Sequence, residues 1–222
     1  MCYSVESSLQ TTLLSLFAIV ILLTSKIPHF QWIGMTLIGW CGMQFDELLL
    51  WLTNPGSGCT FSNKLITMTL IPLILILQPL GSLWGSLYVI PWKKSSDTRK
   101  LFMILYSILI VSGVLVEQFY KPDKVCTTIT KQGHLNWHTR NISIFYAYTY
   151  FLWGFLILLP LLLYWNTSLL LPFLLLILPT FGFITGLRTD SKASIWCYYT
   201  SYVSVVSLIT YVMYKYKIYD FF

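Results

Sequence analysis

Apolar runs of about twenty residues recur along this chain, and nothing else in the sequence constrains its fold as strongly. A helix needs roughly 20 such residues to cross about 30 Å of hydrocarbon. Inside lipid, the backbone also has to satisfy its own hydrogen bonds. Seven runs approach that length, over residues 9–25, 32–53, 65–90, 101–119, 142–164, 169–187 and 193–214. They predict an all-α fold, a seven-transmembrane-helix bundle forming a single domain over residues 1–222. Only 10% of the residues are charged, against about 25% in soluble domains, so the bilayer is the expected solvent and first partner. Asn54-Pro55-Gly56-Ser57-Gly58 closes the second run with a strong turn signal. Pro72 and Pro79 predict a kink or tilt in the third run, and Pro172 and Pro179 leave room for a broken sixth.

Seven crossings put the two chain ends on opposite sides. Orientation should follow the Lys/Arg balance of the loops, but seven such residues fall on each side. The compact cluster Lys93, Lys94, Arg99 and Lys100 tips the reading to an N-terminus outside or lumenal. Met1 to Glu6 offers neither a basic segment nor a small-residue cleavage site, so the first run reads as a retained span. The net charge of +6 sits in loops beside spans, where anionic headgroups attract it. No arginine-rich patch with interleaved aromatics is present, so no nucleic-acid partner is expected. Cys59 and Cys126 both fall in loops on the N-terminal side, where an oxidising compartment would let them pair. Sequence leaves open whether they do, because it cannot show proximity.

Polar residues inside apolar runs are expensive and mark function by default. Trp40, Gln44, Glu47 and Trp51 stand at i, i+4, i+7 and i+11, one helical face. Asp46 points off that face, towards another neighbour or the headgroups. Glu117 closes the fourth run on the same side of the membrane. His134, Asn136 and Trp137 precede the fifth, and Asp190, Ser194 and Trp196 open the seventh. Gln78 lies near mid-membrane, one turn before Ser82. Together these residues predict a polar vestibule on the N-terminal side narrowing towards Gln78, with Glu47 sensing an ion or proton. The alternative is a set of isolated interfacial residues.

His134 and His138, at i and i+4, could join Glu47 or Asp190 as zinc ligands or as an acid/base pair. No His-Glu-x-x-His pattern accompanies them, and the last run lacks the histidines of membrane-embedded zinc hydrolases, so no metal or cofactor is expected. The last run also lacks the mid-helix lysine that a retinal Schiff base requires. It shows instead Thr200, Ser204, Ser207 and Tyr211 on one face, a spacing that marks close helix packing.

Several short strings occur together: Met1-Cys2-Tyr3-Ser4, Gln44-x-x-Glu47-x-x-x-Trp51, Asn63, Gln78-Pro79, Gly133-His134-Leu135-Asn136-Trp137, and Asp190-Ser191 followed by Ser194-Ile195-Trp196-Cys197. In order and spacing they resemble an uncharacterised family of multi-spanning membrane proteins of giant DNA viruses and algae. The resemblance implies a viral or algal membrane protein and carries no activity, substrate or cofactor with it. The residues favour a transporter-like or channel-like protein handling a small ion or solute. The alternatives are a receptor-like or scaffolding protein that binds a partner through its outer loops, and a lipid-acting membrane enzyme. Oligomeric state is not legible.

Overall fold

The computed structural model describes residues 4–119, 125–137, 143–165, 177 and 192–219; within these, the side chains of 117–119, 143–151, 153 and 192–198 lie outside the description. Helix α1 (Val5–Thr24) begins at a reciprocal cap. Ser4 Oγ accepts from the Ser7 N–H, and Ser7 Oγ accepts from the Ser4 N–H, both at 3.3 Å. A short turn with Lys26 at a left-handed φ of 59° leads to α2 (Pro28–Leu52). Pro28 stands in its first turn, where a missing N–H leaves no bond unmade.

The third run takes a form the prolines do not suggest. Helix α3 (Phe61–Leu65), a π-helical turn (Ile66–Leu70) and α4 (Ile71–Gly85) succeed one another without a break, and a 3-10 turn carries the helix on to Tyr88. Pro72 has no N–H to donate, and the Ile71 N–H reaches back to the Ile66 carbonyl. A widened turn therefore stands immediately before Pro72, while Pro79 lies inside α4. Helix α5 (Asp97–Phe119) returns across the molecule. A hairpin of β1 (Thr128–Ile129) and β2 (Leu135–Asn136) precedes α6 (Ser143–Tyr164), and α7 (Lys192–Lys215) comes last. The expected sixth span, 169–187, lies outside the described residues except for Ile177.

Three of these helices are long and apolar enough to cross a bilayer: Val5–Thr24, Phe61–Tyr88 and Asp97–Val116. They mark the chain as a helical membrane protein. Helix α2, at 25 residues, is long enough but carries Gln31, Gln44, Asp46 and Glu47. Enclosure compensates: 15 of its 25 residues are buried, against 4 of 20 in α1. It packs against α1, α4 and α7. Contacts fix the directions. Gly34 lies against Leu23, and Trp32 Nε1 donates to the Ser82 carbonyl at 2.6 Å, so α1 and α4 run antiparallel to α2. Phe30 meets Tyr211 and Tyr214 edge-on, which places the end of α7 beside the start of α2. The molecule thus has a hairpin end, where α2 finishes, and a lysine end, where α2 and α5 begin.

Helices α2 and α4 approach backbone to backbone. A methyl group at Gly39 would fall on the Leu77 carbonyl and 2.6 Å from the Gln78 Cα. One at Gly81 would sit 2.6 Å from the Met35 carbonyl. Gly81 and Gly85 form the small-x-x-x-small pattern that lets helices touch in lipid, where burial of apolar surface supplies no driving force. Gly39→Ala should therefore destabilise the protein by about 1–3 kcal/mol through overpacking. Gly113→Ala, with nothing within 4 Å of the added methyl, should leave stability unchanged. Thermal unfolding of both variants in detergent checks the pair; equal stability would sink the contact as the organising one.

Candidate functional site

The polar residues of α2 lie inside the bundle, towards its hairpin end. Gln44 and Glu47 are fully buried and Asp46 is 2% exposed. Gln44 Oε1 accepts from the Thr11 hydroxyl of α1 at 3.1 Å. One turn earlier the same side of α2 meets α7. Cys41 Sγ lies 3.3 Å from Ser204 Oγ, and Ser204 Oγ donates to Ser15 Oγ of α1 at 3.2 Å. Thr200 Oγ1 donates to the Trp40 carbonyl at 3.4 Å. The hydroxyl stripe of α7 is thus a packing face that joins three helices.

Asp46 occupies the other side of α2. Gly39, Met43, Asp46 and Leu50 succeed one another at +4, +3 and +4, and Gly39 is the residue in contact with α4. Asp46 therefore points into the structure and not to headgroups, and its Oδ2 accepts no hydrogen bond from the described residues. It belongs with Gln44 and Glu47 as a candidate. The heptad-like spacing from Gly39 is the signal, but only the position of α4 gives that spacing a meaning.

The hairpin closes this end. Leu135 and Trp137 pack into one apolar cluster with Met43 and Leu50 of α2 and Ile71 of α4. Its turn is held by Thr130 N–H to the His134 carbonyl at 2.8 Å and Gly133 N–H to the Thr130 carbonyl at 2.9 Å. Gly133 takes a φ of 78°, which glycine adopts without a steric penalty. At its base, buried Asn63 clamps Thr127 on both backbone groups: Nδ2 donates to the Thr127 carbonyl at 3.0 Å, and Oδ1 accepts the Thr127 N–H at 2.8 Å. Thr67 adds a hydroxyl 2.9 Å from the Thr127 hydroxyl. One residue earlier, Cys126 is joined to Cys59 by a disulfide, with Cα atoms 5.6 Å apart.

The expected vestibule residues divide accordingly. Gln44 and Glu47 share the interior of α2, and His134 and Trp137 are buried in the hairpin beside its last turns, with Asn136 half-buried. Gln78 is buried on α4, level with Gly39. That is five residues along α2 from Gln44, a rise of about 7.5 Å. Glu117 lies in the last turn of α5 and Ser194 and Trp196 in the first turns of α7, with side chains outside the description; Asp190 lies outside the described residues. Among the described residues no three His, Cys, Asp or Glu side chains gather where a metal could sit.

Burial holds the His134 imidazole below its ordinary value of 6.5. The unfolded hairpin then binds the proton more readily than the folded one. Its full stability is present above pH 6.5 and is lost as pH falls towards the lowered value. The protection factors of the Gly133 and His134 amides, taken against the intrinsic exchange rate at each pH, should fall across that window, and His134→Gln should flatten the fall; a pH-independent protection factor in the wild type would refute it. Compared with known protein families, curated proteins and solved structures, the chain matches none of them.

Proposed function

We propose that this chain is a multi-pass membrane transporter or channel for a proton or small cation, with its polar path entered from the hairpin end. The observation that carries the reading is the burial of Gln44, Asp46 and Glu47 inside α2. Two adjacent carboxylates in the interior of a membrane protein cost several kcal/mol in hydration. Such groups mark ion and proton pathways more often than packing. A receptor needs only its outer surface and gives no reason for acids at this depth.

Seven crossings remain part of the proposal. Helix α6 ends at the lysine end, where Tyr164 covers Arg99 and Trp165 meets Trp32. Helix α7 ends there too, beside Phe30. Two successive described helices running in one direction fit a further crossing between them. The Cys59–Cys126 disulfide favours an oxidising compartment at the hairpin end, hence an N-terminus outside or lumenal.

Reconstitution into liposomes, with proton and cation flux followed by internal indicators, tests the function. Glu47→Gln and Asp46→Asn keep the side-chain volume and remove the charge. Each should lower flux about tenfold or more, the effect of some 1.4 kcal/mol on a barrier, while leaving thermal stability in detergent close to wild type. Flux that is equal in the wild type and both variants removes the acids from the pathway. Absence of any flux in the wild type removes transport itself.

A further inference from the structure

At the opposite end of the molecule a buried cation lacks a counter-charge among the described residues. Arg99, in the first turn of α5, is 8% exposed, the one buried lysine or arginine among them. Its Nη2 donates to the Ser86 Oγ at 2.8 Å and to the Ser86 carbonyl at 3.2 Å. The Tyr164 ring covers the guanidinium, 4.3 Å from its carbon. A guanidinium has five N–H donors. The one on Nε and the two on Nη1 are buried and make no hydrogen bond to the described residues.

No carboxylate among the described residues pairs with it. Asp97, two residues away, is fully exposed and is bound to Lys100 at 3.0 Å. The tie to Ser86 joins the end of α4 to the start of α5, but a neutral side chain could make that tie. It accounts for two donors and leaves the buried charge uncompensated among the described residues, which is strongly unfavourable unless an anion completes it. The local field points the same way. Lys93 and Lys94 are exposed on the preceding turn, and α5 presents its N-terminus here, where Ser96 caps the Arg99 N–H at 3.2 Å. Trp84 stacks on Trp92 with ring centroids 6.0 Å apart, a pairing suited to headgroup depth.

We propose that Arg99, held by Ser86 and roofed by Tyr164, binds a phosphate oxyanion at the lysine end of the bundle. The planar donors match phosphate oxygens in number and geometry. Lys93 and Lys94 draw the anion in, and Tyr164 moves aside to admit it. The source is either the headgroup of a membrane phospholipid or free phosphate. The site is independent of the acidic cluster of α2.

The test uses the full chain in detergent, with phosphatidic acid, phosphatidylcholine and inorganic phosphate as separate probes, read by thermal stability and by native mass spectrometry. Phosphatidic acid should be retained and raise the melting temperature. Arg99→Gln should weaken this about tenfold, the size of a lost set of charge-assisted hydrogen bonds. Arg99→Lys, which keeps the charge and loses the planar fork, should fall between. Stabilisation by inorganic phosphate equal to that by phosphatidic acid identifies the free ion; stabilisation by the lipid alone identifies the headgroup. If none of the probes binds the wild type, or Arg99→Gln binds as tightly as wild type, the proposal is overturned and Arg99 serves only to join α4 to α5. Should Arg99→Gln fail to fold, the wild-type response and Arg99→Lys decide: no response, or an unchanged one, overturns it equally.

Discussion

The contact between the backbones of α2 and α4 at Gly39 and Gly81 is what allows this chain to keep acids inside a membrane. Lipid tails are as apolar as leucine, so helices gain nothing there by merely hiding apolar side chains from one another. Close approach supplies dispersion contacts, and it also brings polar atoms within reach of one another. The Trp32 Nε1 bond to the Ser82 carbonyl belongs to this same crossing. With α4 against one side of α2, and α1 and α7 against the other, the helix has little surface left for lipid. Gln44, Asp46 and Glu47 are tolerable only under that enclosure.

Enclosure is also why some of the structure is legible in the sequence and some is not. Apolar length is a local property, so α1, the long Phe61–Tyr88 helix and α5 emerge from counting residues. The inward face of Gln44 and Glu47 emerges from helical period, because both lie one or two turns from Trp40 on one stripe. Sequence leaves Asp46 open between another neighbour and the headgroups, and only the placement of α4 shows that its face is also inward. The hairpin is hidden for a different reason. Strands of two residues carry no alternating pattern, and what holds them is Asn63 and Thr67, some sixty residues away. Arg99 reads in the sequence as one member of a compact basic cluster beside two spans. It is buried because Ser86 and Tyr164 reach it from two other helices.

The two ends of the bundle are closed by different means. At the lysine end and along the helices leading from it, single side chains join neighbouring helices: Arg99 to Ser86, then Trp84 Nε1 to Ser107 Oγ at 3.1 Å, and deeper still Tyr106 Oη to the Leu156 carbonyl. At the hairpin end a loop is laid across helix ends and fastened covalently. The disulfide spans 67 residues, and closing a loop of that length removes about 4 kcal/mol of unfolded-chain entropy in a chain-entropy estimate. Among its described residues this loop buries few apolar side chains, chiefly Leu135 and Trp137 beside the disulfide-bonded Cys126. Its hold on α2 and α4 therefore depends on the fastening at Cys126 and Thr127.

The π-helical turn at Ile66–Leu70 connects that fastening to the glycine contact. Asn63 and Gly81 are 18 residues apart, five full turns of an unbroken α-helix, which would put them on the same face. One residue accommodated in a widened turn rotates the earlier turns by about 100° relative to the later ones. Asn63 and Thr67 are thereby turned off the line of Gly81 and Gly85. The first part of the helix can then clamp the hairpin while the second lies flush against α2. Pro72, which has no N–H to bond four residues back, makes this the place where the widened turn forgoes least. The widened turn beside Pro72 thus lets one continuous helix hold two different partners.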